Sequence, residues 1–438
     1  MRPSRLNQVI NSVADAGREL LRRGSPAGRV RERSPGALCD ALLSTRGEAS
    51  GTSLARDVAD AYRAMSPSEK HAFFATLAAD YGPDPAAIHA ASDGYRAAPD
   101  FDRLMALTSA IEPPRQELFR RINMAPNGTA TIVAMREDLL ALLPGAPSLK
   151  AVDVDLVRLL TAWFNRGFLH LEQIDWESPA ALLQKIMSYE AVHPMAGWAD
   201  LKRRPAEDRR CFAFFHPALP DEPLIFVEVA LVRGMTSAVQ TLIDAPDDAL
   251  DPAEADTAIF YAINNCRTGL VGISFGNFLI KQVVVELAHE LPGLKTFATL
   301  SPIPGFRAWL TSRAENGDDA FSAEEADAVE RLSQADWHQD EEAAGAMRGP
   351  LSRLCARYLL EAKSGGRPLD PVARFHLRNG ARLERINWLG DVSSKGLSES
   401  AGLLVNYLYD PKAIERNHEA YVKEGKIAAS AELKRLFK

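Results

Sequence analysis

Ser301 sits in the run Leu300-Ser301-Pro302-Ile303-Pro304-Gly305, directly after a strand-like stretch from Lys295 to Leu300. The prolines at 302 and 304 remove two backbone donors and restrict their neighbours' dihedrals, so the hydroxyl emerges from stiff chain. A hydroxyl held in place needs little reorganisation when it binds an oxygen on which charge develops. Its surroundings are not the G-x-S-x-G turn of a hydrolase, and a serine at a strand end also serves plain structural purposes. His376 lies in Arg374-Phe375-His376-Leu377-Arg378-Asn379-Gly380. The Asn-Gly pair reads as a turn, which places this histidine on or beside a loop between short strand-like stretches. Imidazole exchanges protons near neutrality and suits general acid or base work, although a supporting histidine would look the same. The other eight histidines show neither H-E-x-x-H nor clustered ligand spacing, so nothing in the sequence points to a catalytic metal.

A second kind of chemistry is anion binding. The spacing Arg267-x-Gly269-x-x-Gly272-x-x-x-Gly276 precedes a helix expected over 277–291. Backbone N–H groups around Gly272, Phe275, Gly276, Asn277 and Phe278 would face a shared concavity, where orphan donors and the helix dipole favour phosphate oxygens. The order matches neither the P-loop nor the dinucleotide fingerprint, and a strand-to-helix turn explains the glycines equally well. Lys281 could reach an anion from that helix or simply face water. Arg203, Arg204, Arg209 and Arg210 could meet phosphate or belong to a solvated linker.

These groups need elements to hold them. Stretches 13–21, 53–65, 68–81, 85–97, 99–110 and 114–124 carry apolar residues three and four apart, amid abundant alanine and Ser or Thr caps. Each is too short to persist alone, which predicts a helical bundle over residues 1–161. Beyond it, 167–174 partly alternates as a strand would, Ser178 is placed to cap a helix running to Tyr189, and 211–215 and 224–232 read as strands. An acidic, solvated loop spans 244–256. The stretch 269–276 reads as a strand entering the glycine turn. With the following helix and the strand 295–300 it would form a β-α-β unit, where function gathers at strand C-terminal ends. The acidic, alanine-rich stretch 312–350 reads as a helical excursion, with helix resuming from Leu351 to Glu361. The fold class is α+β, with a second domain over 162–438 and an inserted helical segment near 312–361.

Composition sets bounds. With 46% hydrophobic and 25% charged residues the chain is globular, not collagen-like, coiled-coil or wholly disordered. Its 51 Lys+Arg against 58 Asp+Glu give a net charge of -7, which argues against a general nucleic-acid binder. The four cysteines, Cys39, Cys211, Cys266 and Cys355, have no C-x-x-C spacing and fit a reduced compartment. No apolar run approaches the roughly 18–20 residues of a membrane span. The first 16 residues lack a signal-peptide core. Cytoplasm is the default expectation, with the arginines between 2 and 33 leaving a transit segment open.

Longer strings narrow the reading: Glu190-Ala191-Val192-His193-Pro194, Arg203-Arg204 with Arg209-Arg210-Cys211, Thr257-Ala258-Ile259-Phe260-Tyr261, Gly276 through Lys281, Leu300 through Phe306, Phe375 through Gly380, Arg385-Ile386-Asn387-Trp388 and Gly402 through Tyr407. In this order they resemble the malonyl-CoA decarboxylases over most of the chain. The resemblance implies an N-terminal all-helical domain and a catalytic domain with a GCN5-related N-acetyltransferase-like (GNAT) fold. It further implies conversion of malonyl-CoA to acetyl-CoA and carbon dioxide without metal, biotin or organic cofactor, coenzyme A being part of substrate and product. Ser301 and His376 match the family's catalytic serine and histidine. The coenzyme-A phosphates would lie at the turn of Gly272, Phe275, Gly276, Asn277 and Phe278. Homo-oligomers, dimer or tetramer, with the helical domain taking part, are expected; nucleic acid and membrane are not. Some relatives have glutamate where this chain has Ser274, so any role of that carboxylate is vacant or reassigned here. Two further readings are an acyl-CoA-dependent acyltransferase and a noncatalytic CoA-binding interaction protein.

Overall fold

The computed structural model describes residues 34–45, 47–244, 249–273, 279–315, 321–334 and 336–437. They divide into two compact units, one of the described residues up to Phe164 with Arg267–Ile273, the other of Asn165–Cys266 and the described residues from Leu279 onward.

The first unit is helical, as the apolar spacing predicts. Its α-helices are α1 (Pro35–Ser44), α2 (Glu48–Ala64), α3 (Pro67–Ala79), α4 (Pro85–Ala97), α5 (Phe101–Ile111), α6 (Pro114–Asn123), α7 (Gly128–Leu142) and α8 (Lys150–Trp163). Ser66 and Glu69 close a reciprocal capping box at the start of α3, and Asp84 and Asp100 cap α4 and α5. Leu42, Phe74, Phe119, Ile122, Leu139 and Leu156 fill the core. Helices α4 and α5 bury no residue, and Phe101, Leu104, Met105 and Ile111 are exposed. The helix expected at 13–21 and the arginine-rich stretch around it lie outside the described residues.

Over the described residues 269–273 the chain departs from the strand expected at 269–276. Thr268–Leu270 is a single 3-10 turn belonging to the first unit. Arg136 of α7 donates to the carbonyls of Gly269 and Val271 at 2.7 and 2.8 Å, and Arg267 pairs with Glu137 at 2.9 Å. A Cβ on Gly269 would lie 2.2 Å from the Val133 carbonyl oxygen, so glycine stands there to let the turn approach the backbone of α7. Of the apolar residues that mimic a strand, Leu270 and Ile273 are buried while Val271 is exposed.

The second unit is built on a mixed sheet of β1 (His170–Ile174), β2 (Arg209–Phe215), β3 (Ile225–Val232), β4 (Thr257–Asn265), β5 (Thr296–Thr299), β6 (Ser301–Pro302), β7 (Arg382–Asn387) and β8 (Leu404–Leu408). Strands β1 to β4 pair antiparallel in sequence. Strands β4 and β5 pair in parallel, from Thr257↔Thr296 to Phe260↔Thr299. The β-α-β unit therefore exists, but its first strand is Thr257–Asn265 and its described helix is α10 (Leu279–Glu290), α9 being Ala180–Tyr189. Past Phe260, β4 continues without β5, because the chain steps at Leu300 into β6 and pairs with β8. Strand β8 meets β5 at Leu408↔Ala298, β6 at Val405↔Ser301, and β7 along its length.

Three local expectations are corrected. Ser178 accepts the Asp175 N–H and closes the turn before Pro179 instead of capping α9. Helix α11 (Glu341–Glu361) runs unbroken through Pro350, because Met347, Pro350, Leu351, Leu354, Tyr358 and Leu359 make one buried stripe whose burial offsets the missing backbone bond. His376 lies within a helix, α12 (Pro371–Arg378), and not on a loop between strands. Asp370 and Pro371 start α12, and Asn379-Gly380, with Gly380 at φ +84, is its C-terminal stop. Among the described residues no helix is long and apolar enough to cross a membrane.

Gly269→Ala is expected to destabilise the first unit by about 1–3 kcal/mol through overpacking, read as a lower urea midpoint by far-UV circular dichroism. An unchanged midpoint would mean the turn is free to leave α7.

Candidate active site

The break between β5 and β6 puts two hydroxyls side by side. Ser301 Oγ donates to Thr299 Oγ1 at 2.8 Å, and Thr299 Oγ1 also accepts the Tyr407 N–H at 3.1 Å. Asn406 of β8 donates to the Thr299 carbonyl at 2.7 Å and accepts from Asn387 at 2.8 Å, while Arg385 Nε donates to Asn387 at 2.8 Å. The strand that pairs with Ser301 thereby also fixes its neighbour.

His376 arrives from α12. Its Nε2 is 3.0 Å from Ser301 Oγ, its Nδ1 is 2.8 Å from the Tyr409 hydroxyl, and its ring stacks on Tyr407 with centroids 4.4 Å apart. With the serine hydrogen given to Thr299, Oγ accepts from Nε2–H, and the bare Nδ1 accepts the Tyr409 O–H. His376 is 2% exposed and Ser301 5%. Burial depresses the imidazole pKa to about 3 and pushes the Tyr407 and Tyr409 hydroxyls far above their ordinary range. These four side chains are therefore all neutral at physiological pH. They can donate to an oxygen, accept from one, or exchange a proton along the chain of bonds.

Behind them, fully buried Asp370 accepts the Ala373 N–H at 2.7 Å and caps α12. Burial raises its carboxyl to about 6, opposed by the N–H groups of Ala373, Gly305 and Val372.

Folding thus brings together Ser301 and His376, 75 positions apart. The other expected site residues fare differently. Gly272 adopts φ +78 in the first unit, while Ser274, Phe275, Gly276, Asn277 and Phe278 lie outside the described residues. Lys281 pairs with Glu415 at 2.5 Å. The arginine run is neither a linker nor a free phosphate site: Arg203 and Arg209 pair with Asp208, Arg204 with buried Glu228 at 2.6 Å, and Arg210 with Glu290 at 2.6 Å. Thr299, Tyr407, Tyr409 and Asp370 were not among the expected site residues. The i, i+2 spacing of Thr299 with Ser301 and of Tyr407 with Tyr409 was a usable signal, since extended chain puts such pairs on one face. Asp370-Pro371 is a helix-start signal. Among the described residues no group of three or more His, Cys, Asp or Glu side chains could hold a metal ion.

Comparison with known proteins extends the picture. The malonyl-CoA decarboxylase C-terminal domain matches residues 167–438, and the malonyl-CoA decarboxylase N-terminal domain matches 81–164. The crystal structure of malonyl-CoA decarboxylase from Rhodopseudomonas palustris is 49% identical with a TM-score of 0.89, covering 92% of this chain and 98% of that one. That from Agrobacterium vitis is 49% identical with a TM-score of 0.88, covering 92% and 99%. The mitochondrial malonyl-CoA decarboxylase of Rattus norvegicus is 34% identical across 96% of this chain and 90% of its own length.

The buried imidazole also couples stability to pH. His376 takes up a proton near its ordinary pKa of 6.5 when unfolded, but only near 3 when folded. Its contribution is fully present above pH 6.5 and is lost as pH falls toward 3, at up to about 1.4 kcal/mol per pH unit for one proton. Urea midpoints measured from pH 7 to 4 should fall less steeply for His376→Gln than for wild type; equal slopes would mean the folded imidazole titrates freely.

Proposed function

The chain belongs to the malonyl-CoA decarboxylase family, and from that membership together with the buried Ser301–His376 pair we propose that it converts malonyl-CoA to acetyl-CoA and carbon dioxide. The bond from C2 to the carboxylate breaks, its electron pair moves into the thioester carbonyl, and the resulting enolate takes a proton at C2. Ser301 binds the malonyl carboxylate or the neighbouring thioester oxygen and turns the breaking bond perpendicular to the thioester plane. Hydrogen bonds from a water-poor site act most strongly where charge develops.

The neutral imidazole has a specific part. A malonyl anion beside Nε2 favours the charged form of the ring, because an opposite charge offsets desolvation. His376 takes up a proton with substrate, passes it to C2 as carbon dioxide leaves, and returns to neutral. The Tyr409 hydroxyl turns from donor to acceptor when Nδ1 is protonated, so that nitrogen keeps a partner in either state. No step calls for a metal or organic cofactor; coenzyme A enters as part of the substrate. Its phosphates are assigned to the turn of Gly272 and residues 275–278 by family resemblance alone. The observation that carries the reading is the 3.0 Å approach of Ser301 Oγ to His376 Nε2 within buried surroundings.

Membership also supports self-association. The exposed Phe101, Leu104, Met105 and Ile111 on α5 offer an apolar face for a second copy. A Phe101→Glu/Met105→Glu variant should sediment as a smaller species with unchanged circular dichroism; an unchanged sedimentation coefficient would remove α5 from the interface.

The activity is tested with purified protein and malonyl-CoA in deuterated water, followed by mass analysis. Acetyl-CoA carrying one deuterium at C2 is the expected product. Ser301→Ala and His376→Asn should each lower kcat by about 10²- to 10⁴-fold with KM changed a few-fold. Free coenzyme A would indicate a thioesterase, and transfer to an added amine an acyltransferase. No product in a single turnover would indicate a CoA-binding protein. Near-wild-type rates in both variants would reject the site.

A further inference from the structure

Outside the reacting pair, one fully buried carboxylate lies between the loop after Ser301 and the helix that carries His376. Asp370 caps α12 through Oδ1, which accepts the Ala373 N–H at 2.7 Å. Its Oδ2 is buried and makes no hydrogen bond. The Gly305 amide and the Tyr358 hydroxyl of α11 face the same carboxyl. Gly305 ends the stiff run Ser301-Pro302-Ile303-Pro304-Gly305. A Cβ there would lie 2.3 Å from the Tyr358 hydroxyl and 4.0 Å from Asp370 Oδ2, so this glycine is required by close approach.

Capping alone does not explain such a residue. Elsewhere the chain caps helices with Ser34, Ser66, Ser322 and Ser393, or with the exposed carboxylates of Asp84, Asp100 and Asp340. An exposed cap keeps its second oxygen in water, whereas burying that oxygen costs desolvation unless donors complete it. The donors nearest to doing so belong to the Ser301 loop and to α11.

We propose that Asp370 is the positioning residue that sets the Ser301–His376 distance, Oδ1 holding α12 by its hydrogen bond and the charge on Oδ2 attracting the Gly305 N–H of the loop and the Tyr358 O–H that face it. The inference rests on Ser301 and His376 being the reacting pair. A reacting geometry tolerates little displacement, so loosening either tie lowers turnover without weakening the grip on coenzyme A.

Asp370→Asn separates the two ties. Asparagine caps helices as well as aspartate, so α12 and the thermal midpoint should persist. Its amide nitrogen would face the Gly305 N–H donor to donor. The expected result is a kcat about tenfold to a hundredfold lower, with KM for malonyl-CoA within about threefold. Gly305→Ala should also lower kcat by driving the Tyr358 hydroxyl aside. Tyr358→Phe removes the colliding atom and leaves the next at 3.5 Å, so Gly305→Ala/Tyr358→Phe should turn over faster than Gly305→Ala alone. A merely structural role would lower the midpoint of Asp370→Asn and leave kcat per folded molecule unchanged. That result, or a double variant no faster than Gly305→Ala, overturns the proposal while wild type makes acetyl-CoA and Ser301→Ala is impaired. Wild type making no acetyl-CoA, or Ser301→Ala at full rate, would instead defeat the underlying functional reading.

Discussion

An imidazole withdrawn from water needs a hydrogen bond at each ring nitrogen, and His376 meets that condition with Ser301 on one side and Tyr409 on the other. Much of the second unit follows from this demand. Strand β8, which pairs beside the serine, carries Tyr407 under the ring, and Tyr409, the residue just past its end, meets the far nitrogen. The helix that delivers the histidine must end where the ring can reach both, and Asp370 and Asn379 mark its two limits.

The sheet creates the opening for this arrangement by failing to stay regular. Parallel pairing of β4 and β5 lasts four residues and stops at Phe260↔Thr299. The chain then changes partner, and Ser301 joins β8 in place of β4. Thr299 and Ser301 stand at that parting and are bonded to one another across the irregular residue Leu300.

Charge is handled separately. The arginines that could have met an anion are engaged with Asp208, Glu228 and Glu290. The reacting pair and its two tyrosines are left neutral by burial. In the proposed reaction the resting site holds no permanent cation: the charge on His376 arrives with the substrate anion and leaves with the proton passed to C2, while neutral donors follow the charge as it moves to the thioester oxygen.

Local signals in the chain were readable wherever one segment suffices to express them. Helix caps, three-and-four apolar spacing in the first third, strand-like runs at 211–215 and 224–232, and the rigid prolines after Ser301 all act over a few residues. The strand expected at 269–276 misled because, over the described residues 269–273, the backbone makes a long-range contact with Val133 and Arg136 that no local pattern encodes. The Asn379-Gly380 pair misled because one turn chemistry ends helices and joins strands alike. Residue types alone established a serine and a histidine fit for proton and oxygen chemistry. Their meeting was settled only by strand pairing between segments about a hundred residues apart, Val405 against Ser301, and by the docking of α12 over Tyr407. Contacts of that reach depend on which faces the whole core buries, and no single stretch of sequence holds that information.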